Sequence, residues 1–261
     1  MLLSHLQSQT VEEVLTKYED AAGGSKALDG VRTLRFNSTV TINFMNQKLD
    51  IAVNTIQVKR KLFRREVQGI MGMKNSYSIL TDTGGYVYTP AVPAYGDFPG
   101  QPATITRTDT AWVRATQYEL DCAGPFGHLV HYATKGHKAE LLGTAKVNKT
   151  DCYKVKITLK AGQQIIYYIS STTFLVVQSE AIGRVALEQL GLGSMMQLMG
   201  GGSDKAKSIK VVISYDEYKS INGIKFPTKE KFQFGAVEMG MVNDNYTINE
   251  PPDARWFTIM K

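Results

Sequence analysis

The sequence predicts a mainly β protein, one curved antiparallel sheet with a few helices laid on it. Three observations point there. A single amphipathic helix near the N-terminus gives way to apolar residues that recur every second position. Short strand-like runs then follow one another, separated by Gly, Asn or Asp turns such as "TDTGG", "VNKTD", "KAGQ" and "SINGI". No internal repeat and no linker interrupts the series, so residues 1–261 read as one domain.

The helix is expected at about 10–22. Thr10 and Glu13 form a T-x-x-E capping box, and Val11, Val14, Leu15, Tyr18 and Ala22 make one apolar stripe. Gly23 and Gly24 end it, and Ser25 is placed to cap a second short turn, "KALDG". In "TLRFNSTVTINF" (33–44) the period becomes two. Leu34, Phe36, Val40, Ile42 and Phe44 share a face. The next strand carries Leu49, Ile51 and Val53, then skips at Asn54 and Thr55 to Ile56 and Val58, a pattern that suggests a bulge. Further strands are expected at 75–81, 85–89, 110–114, 139–147, 152–160, 164–170, 173–181, 208–219, 224–235 and 237–248. The stretch 89–104, with four prolines and two glycines, reads as loop, and 124–138 as a short helix.

Composition narrows the function. With 43% hydrophobic and 21% charged residues the chain is globular, and no run approaches the roughly 20 apolar residues that span a bilayer. A net charge of +6 permits contact with anionic lipid or nucleic acid. The one dense basic run, "KRKLFRR" (59–65), reads as a solvated strand edge, and no recognition motif for nucleic acid accompanies it. Cys122 and Cys152 fit either a disulfide or two buried thiols. The start "MLLSHLQSQTVEEV" has no basic n-region and too short an apolar run for a signal peptide. That fits a cytosolic protein or a mature chain without its leader.

The sequence presents no catalytic constellation. His128 and His131 lie three apart, but no nearby carboxylate or cysteine completes a tetrahedral metal set, which favours a partly exposed helix face. "GLGSMM" is not a nucleophile elbow, and phosphate-loop and dinucleotide fingerprints are missing. No enzyme activity, metal or cofactor is expected. Methionine placement does stand out. Met71 and Met73, then Met195, Met196 and Met199, then Met239 and Met241 form three clusters. The middle one, with Leu198, sits on a glycine-flanked flap, "GLGSMMQLMGGGSD" (191–204). Methionine is soft and unbranched, suited to variable apolar shapes. Phe44, Phe232 and Phe234 lie beside the other clusters. Thioether sulfurs also suit Cu(I), a minor alternative.

The run "VLTKYEDAAGGSKALDGVRTLRFNSTVT" resembles the opening of the bacterial outer-membrane lipoprotein-sorting proteins, the LolA/LolB-like family. "LTDTGGYVYTP" (80–90), "AELLGTAKVNKTDCYKVKITLKAGQQIIYYISSTTFLVVQSE" (139–180), "YDEYKSINGIKFPTK" (215–229) and "VNDNYTINEPPDARWF" (242–257) are similar to later family segments, in the expected order. The resemblance implies an unclosed antiparallel half-barrel with helices on its concave face and an apolar cavity between them. It implies a non-enzymatic periplasmic carrier of lipid or lipoprotein acyl chains, either free or attached to the outer membrane. Such a carrier is expected to be monomeric, with inner- or outer-membrane proteins as partners and no nucleic acid. Burying a methylene is worth roughly 0.8 kcal/mol, so a sixteen-carbon chain gains on the order of 12 kcal/mol before ordering costs. The expected acyl site combines Leu34, Phe36, Ile42, Phe44, Phe232 and Phe234 with Met71, Met73 and the flap residues Met195, Met196, Leu198 and Met199. Residues 182–207 are longer than the family leads one to expect, and the flap reads as a lid. Carriers of this fold hold a closed state through an arginine near the cavity, for which Arg35 and Arg64 are candidates, and basic residues 59–65 would meet anionic head groups. The alternative is a ligand-free scaffolding protein of the envelope.

Overall fold

The structure is a computed structural model that describes residues 9–44, 47–69, 74–94, 96, 99–183, 210–235 and 237–259. Helix α1 (Val11–Ala22) opens on the complete capping box, with the Thr10 hydroxyl accepting from the Glu13 N–H and the Glu13 carboxylate accepting from the Thr10 N–H. Its stripe of Val14, Leu15, Tyr18 and Ala22 is buried. Gly23 stops it at φ 131°, where a side chain would meet the Gly223 carbonyl at 2.6 Å. In α2 (Ser25–Asp29) the cap position belongs to Gly24 and Ser25 is already inside the helix, so the expected serine cap is not formed.

Thirteen strands follow. They are β1 (Thr33–Phe44), β2 (Gln47–Val58), β3 (Leu62–Val67), β4 (Ser76–Leu80), β5 (Gly85–Thr89), β6 (Thr104–Arg107), β7 (Lys138–Val147), β8 (Thr150–Thr158), β9 (Gln164–Ser170), β10 (Val176–Ile182), β11 (Lys210–Ile221), β12 (Ile224–Phe234) and β13 (Val237–Ile248). They form one antiparallel sheet in the order β6-β5-β4-β3-β2-β1-β13-β12-β11-β10-β9-β8-β7. The sheet does not close, so it is a half-barrel with edges at β6 and β7. Neighbours in sequence are neighbours in space except β6 and β7, which form the two edges, and at the centre the first strand pairs with the last. Between β6 and β7 the chain crosses from one edge to the other over the concave face.

That crossing differs from expectation. Residues 110–114 are not a strand but the start of helix α3 (Thr110–Thr116). The Asp109 carboxylate accepts the Trp112 N–H and so caps it, while Val113 and Thr116, one helical turn apart, are buried. Residues 124–138 hold two short 3₁₀ helices, Gly127–Leu129 and Tyr132–Lys135, rather than one α-helix. His131 separates them at φ 51°. Strand β6 was not expected from its sequence; it is four residues long and pairs only through β5.

The apolar skip in β2 is not a bulge. Its register with β1 runs unbroken from Thr33↔Val58 to Phe44↔Gln47. What changes is the face that is covered. Thr55 and Gln57 point to the concave side, whereas Ile56 and Val58 join Leu62, Tyr77 and Ile79 in a second core on the convex side, under Trp256 and Ile259. The bulge lies instead between β1 and β13, where the register moves from Arg35↔Thr247 to Asn37↔Asp244 and Asn245 has φ 50°.

The main core fills the half-barrel between α1, the crossing segment and strands β8–β13. Phe126 is its hub, edge-on to Tyr18, Tyr167 and Tyr215. A side chain at Gly127 would overlap the Asp121 carbonyl, at 1.9 Å, so only glycine lets the crossing segment fold back this tightly.

Candidate functional site

Beside that core, the concave faces of β1, β2 and β3 are incompletely filled, and residues 118–125 roof them. The resulting cavity offers about 90 Å³ to the centre of a water molecule. It is a narrow cleft that runs along three strands, since a single water needs roughly 10–15 Å³ by this measure. Strand alternation builds the walls: Phe36, Ser38, Val40 and Ile42 from β1, Ile51, Val53, Thr55 and Gln57 from β2, and Phe63, Arg65 and Val67 from β3.

Pairing sorts these side chains into rows across the sheet. Val40 stands opposite Ile51 and Met241, and Val53 opposite Val67. Together with Ile42 they make an apolar stretch towards the Phe44/Gln47 hairpin. One step further from that hairpin, Thr55 stands opposite both Phe36 and Arg65, and Gln57 lies beyond it. The cleft is thus apolar at one end and polar at the other.

The polar groups are mostly tied together. The Ser38 hydroxyl donates to the Asn243 side-chain oxygen at 2.6 Å, and the Asn243 amide donates to Glu230 Oε1 at 2.7 Å. Burial pushes the Glu230 carboxyl up to about 7, against the hydrogen bond from Asn243 and the positive charge of Arg65, which both favour its ionised form. Glu119 is also raised by burial and also drawn back by Arg65. Gln57 donates its amide to the Glu119 carbonyl at 3.2 Å, while its own side-chain oxygen is buried and has no hydrogen-bond partner among the described residues.

Of the residues expected at an acyl site, Phe36 and Ile42 line the cleft. Leu34 is fully buried in the adjoining core, Phe232 is buried there opposite Met239, and Phe234 is packed at its border. The Phe44 side chain and Met71, Met73, Met195, Met196, Leu198 and Met199 lie outside the described residues, as does most of the 182–207 stretch.

The basic run 59–65 is solvated only at its turn, where Arg60 and Lys61 are exposed. Lys59 pairs with Asp29, and Arg65 lines the cleft. Arg64 is buried on the convex side, over the Tyr77 ring, bonded to Glu66 and to the Trp256 and Thr258 carbonyls. Arg35 pairs with Glu250. Neither arginine named from the family resemblance therefore lines the cleft, whereas Arg65 does. Alternation held the signal for it, because Arg65 shares a strand face with Phe63 and Val67. Glu230 was missed in the same way, between Phe226 and Phe232.

His128 also departs from expectation. It is buried, not on an exposed face, and its Nε2 lies 2.5 Å from the Tyr167 hydroxyl. Burial holds its imidazole well below the usual range, in the neutral form. No three His, Cys, Asp or Glu side chains among the described residues converge as metal ligands would. Cys122 and Cys152 are both free and buried, which resolves their two readings in favour of separate thiols.

The open thirteen-strand half-barrel, with its helices on the concave face and a cleft beneath them, decides the comparison with solved structures. The fold is LolA-like. A LolA superfamily protein from Nitrosomonas europaea superposes with a TM-score of 0.58 at 10% identity, covering 96% of this chain and 99% of that one. A DUF1329 family protein from Desulfovibrio piger gives 0.58 at 11% identity, covering 96% and 98%. A putative outer-membrane lipoprotein-sorting protein domain from Vibrio parahaemolyticus gives 0.52 at 10%, covering 94% and 95%. The sequence itself matches no protein-family model and no curated protein. At these identities the LolA-like likeness establishes the fold, and the chemistry rests on the cleft.

Proposed function

We propose that this LolA-like chain is a non-enzymatic binder or carrier of lipid or lipoprotein acyl chains in the periplasm. The observation that carries the reading is the cleft itself, an apolar trough of Val40, Ile42, Ile51, Val53, Val67 and Met241 in the half-barrel. Its polar end, at Thr55, Gln57 and Arg65, offers groups suited to the less apolar part of an amphiphile. A likeness to a LolA superfamily protein and to a putative outer-membrane lipoprotein-sorting domain supports the same reading. Among the described residues no helix is long and apolar enough to cross a membrane.

Native mass spectrometry with solvent extraction tests it. The purified protein is expected to carry an acyl species or to take one up from added lipid. Replacing Val40 and Val53 with Phe fills the trough and is expected to abolish that uptake. A clean mass after lipid incubation refutes the proposal.

The narrowness of the cleft favours one second reading, a scaffolding protein of the envelope whose concave face is occupied by its own side chains. The same clean mass supports it.

A further inference from the structure

A second, wider space lies on the other side of Tyr118, with about 670 Å³ reachable by the centre of a water molecule. Its walls are the turn at Lys59 and Arg60, the end of α3 at Arg114, the 3₁₀ helix ending at Lys135, and the β8–β9 turn at Lys160. Five cationic side chains face it against two carboxylates. Asp29 is taken by Lys59, and Asp121 by Lys135, which also donates to the Gly127 carbonyl. That leaves Arg60, Arg114 and Lys160, for which no acidic partner is found among the described residues. Arg60 is held at the tip of its turn at φ 61°, with its backbone N–H bonded to the Leu120 carbonyl. A non-glycine residue in that conformation is costly, and the hydrogen bond keeps it there.

His137 fixes the position of Lys160 in the groove wall. It lines the same groove and is 8% exposed. Its Nδ1 accepts the backbone N–H of Lys160 at 3.0 Å. In the neutral ring the proton is therefore on Nε2, and that buried N–H has no hydrogen-bond partner among the described residues. Burial, the largest influence on this imidazole, keeps it neutral and so preserves the tautomer.

We propose that this groove binds a phosphate group, held by the forks of Arg60 and Arg114 and the Lys160 ammonium. Three uncompensated cations exceed what one carboxylate would balance, and guanidinium forks match phosphate oxygens in pairs. Free phosphate and the phosphate of an anionic lipid present the same chemistry. The lipid source rests on the acyl-chain reading, because Tyr118 lines both spaces and an amphiphile would straddle it. The free-phosphate source does not.

The test uses the full chain and a triple variant, Arg60→Gln, Arg114→Gln and Lys160→Gln. A control removes three exposed charges elsewhere, Lys146→Gln, Lys219→Gln and Lys225→Gln. Sodium phosphate is titrated calorimetrically at fixed ionic strength, and co-sedimentation is measured with phosphatidylglycerol and phosphatidylcholine vesicles. Loss of phosphate binding by at least tenfold in the groove variant alone supports the site. Loss restricted to phosphatidylglycerol vesicles supports it with a lipid source. If neither probe binds, or if the control variant loses as much as the groove variant, the proposal is overturned. Uptake of a neutral apolar dye, N-phenyl-1-naphthylamine, is followed on all three proteins. Failure of the dye to bind strikes the cleft reading and leaves the phosphate result standing.

Discussion

Glu230 offers a perturbation whose size follows from the structure. Its carboxyl is buried beside the cleft with the Asn243 amide as its hydrogen-bond donor, and burial moves its pKa from the usual 4.5 to about 7. The folded protein therefore holds a proton that the unfolded chain has released between those two values. Stability from this group is complete below about pH 4.5 and is lost as pH rises through 7. The rise corresponds to about 3 kcal/mol at pH 8 and above. Glu230→Gln keeps the acceptor oxygen for Asn243 and removes the ionisation. Urea unfolding of both proteins from pH 4.5 to pH 9 is the assay. The variant is expected to match the wild type at the acid end and to exceed it by about 3 kcal/mol at pH 8, with the gain accumulating between pH 4.5 and 7. Other titrating groups cancel in the difference. A difference that stays constant across the range would refute the buried, protonated carboxyl.

Two further outcomes follow. Arg64→Met removes the cation that binds the Trp256 and Thr258 carbonyls, and is expected to cost roughly 1–3 kcal/mol in urea unfolding, as leaving hydrogen-bond acceptors unsatisfied does; Trp256 fluorescence should shift towards that of an exposed indole. A loss below about 0.5 kcal/mol would place Arg64 with ordinary surface residues. Cys122 is buried with its thiol pushed up to about 12, and burial also raises Cys152, so a thiol reagent at pH 8 should modify neither in the native state and both in denaturant. Only an intact disulfide would leave both unmodified in denaturant.

Much of this fold is legible in the residues because strand alternation and capping act locally. Thr10 and Glu13 announce α1, and the period-two run from Leu34 to Phe44 announces β1. What escapes is decided by distant partners. The polar Thr55 and Gln57 face the cleft because Ile56 and Val58 are needed under Trp256, and nothing near residue 55 reveals that the C-terminal segment will cover the other side. The strand expected at 110–114 fails differently: the Asp109 cap is a local signal that the strand reading passed over, and Val113 packs with Phe63, Leu80 and Leu120. In the site, apolar residues are easy to nominate. The charged ones, Arg65, Glu119 and Glu230, are passed over because a charged side chain is ordinarily solvent-facing, and their inward position is fixed by parity along the strand.

The pairing of β1 with β13 has a consequence for how the molecule comes into being. Arg32 and Asn249, hydrogen-bonded beside that pairing, are 217 positions apart. A ribosome releases β1 (Thr33–Phe44) about 200 residues before β13 (Val237–Ile248), so β1 must wait through all the strands between with one edge unsatisfied. Until then the nascent chain holds two unfinished halves, β1–β6 and β7–β12, each with an open, sticky margin. Contacts so distant in order make for slow folding. Until β13 arrives, that margin is open to pairing with any other strand.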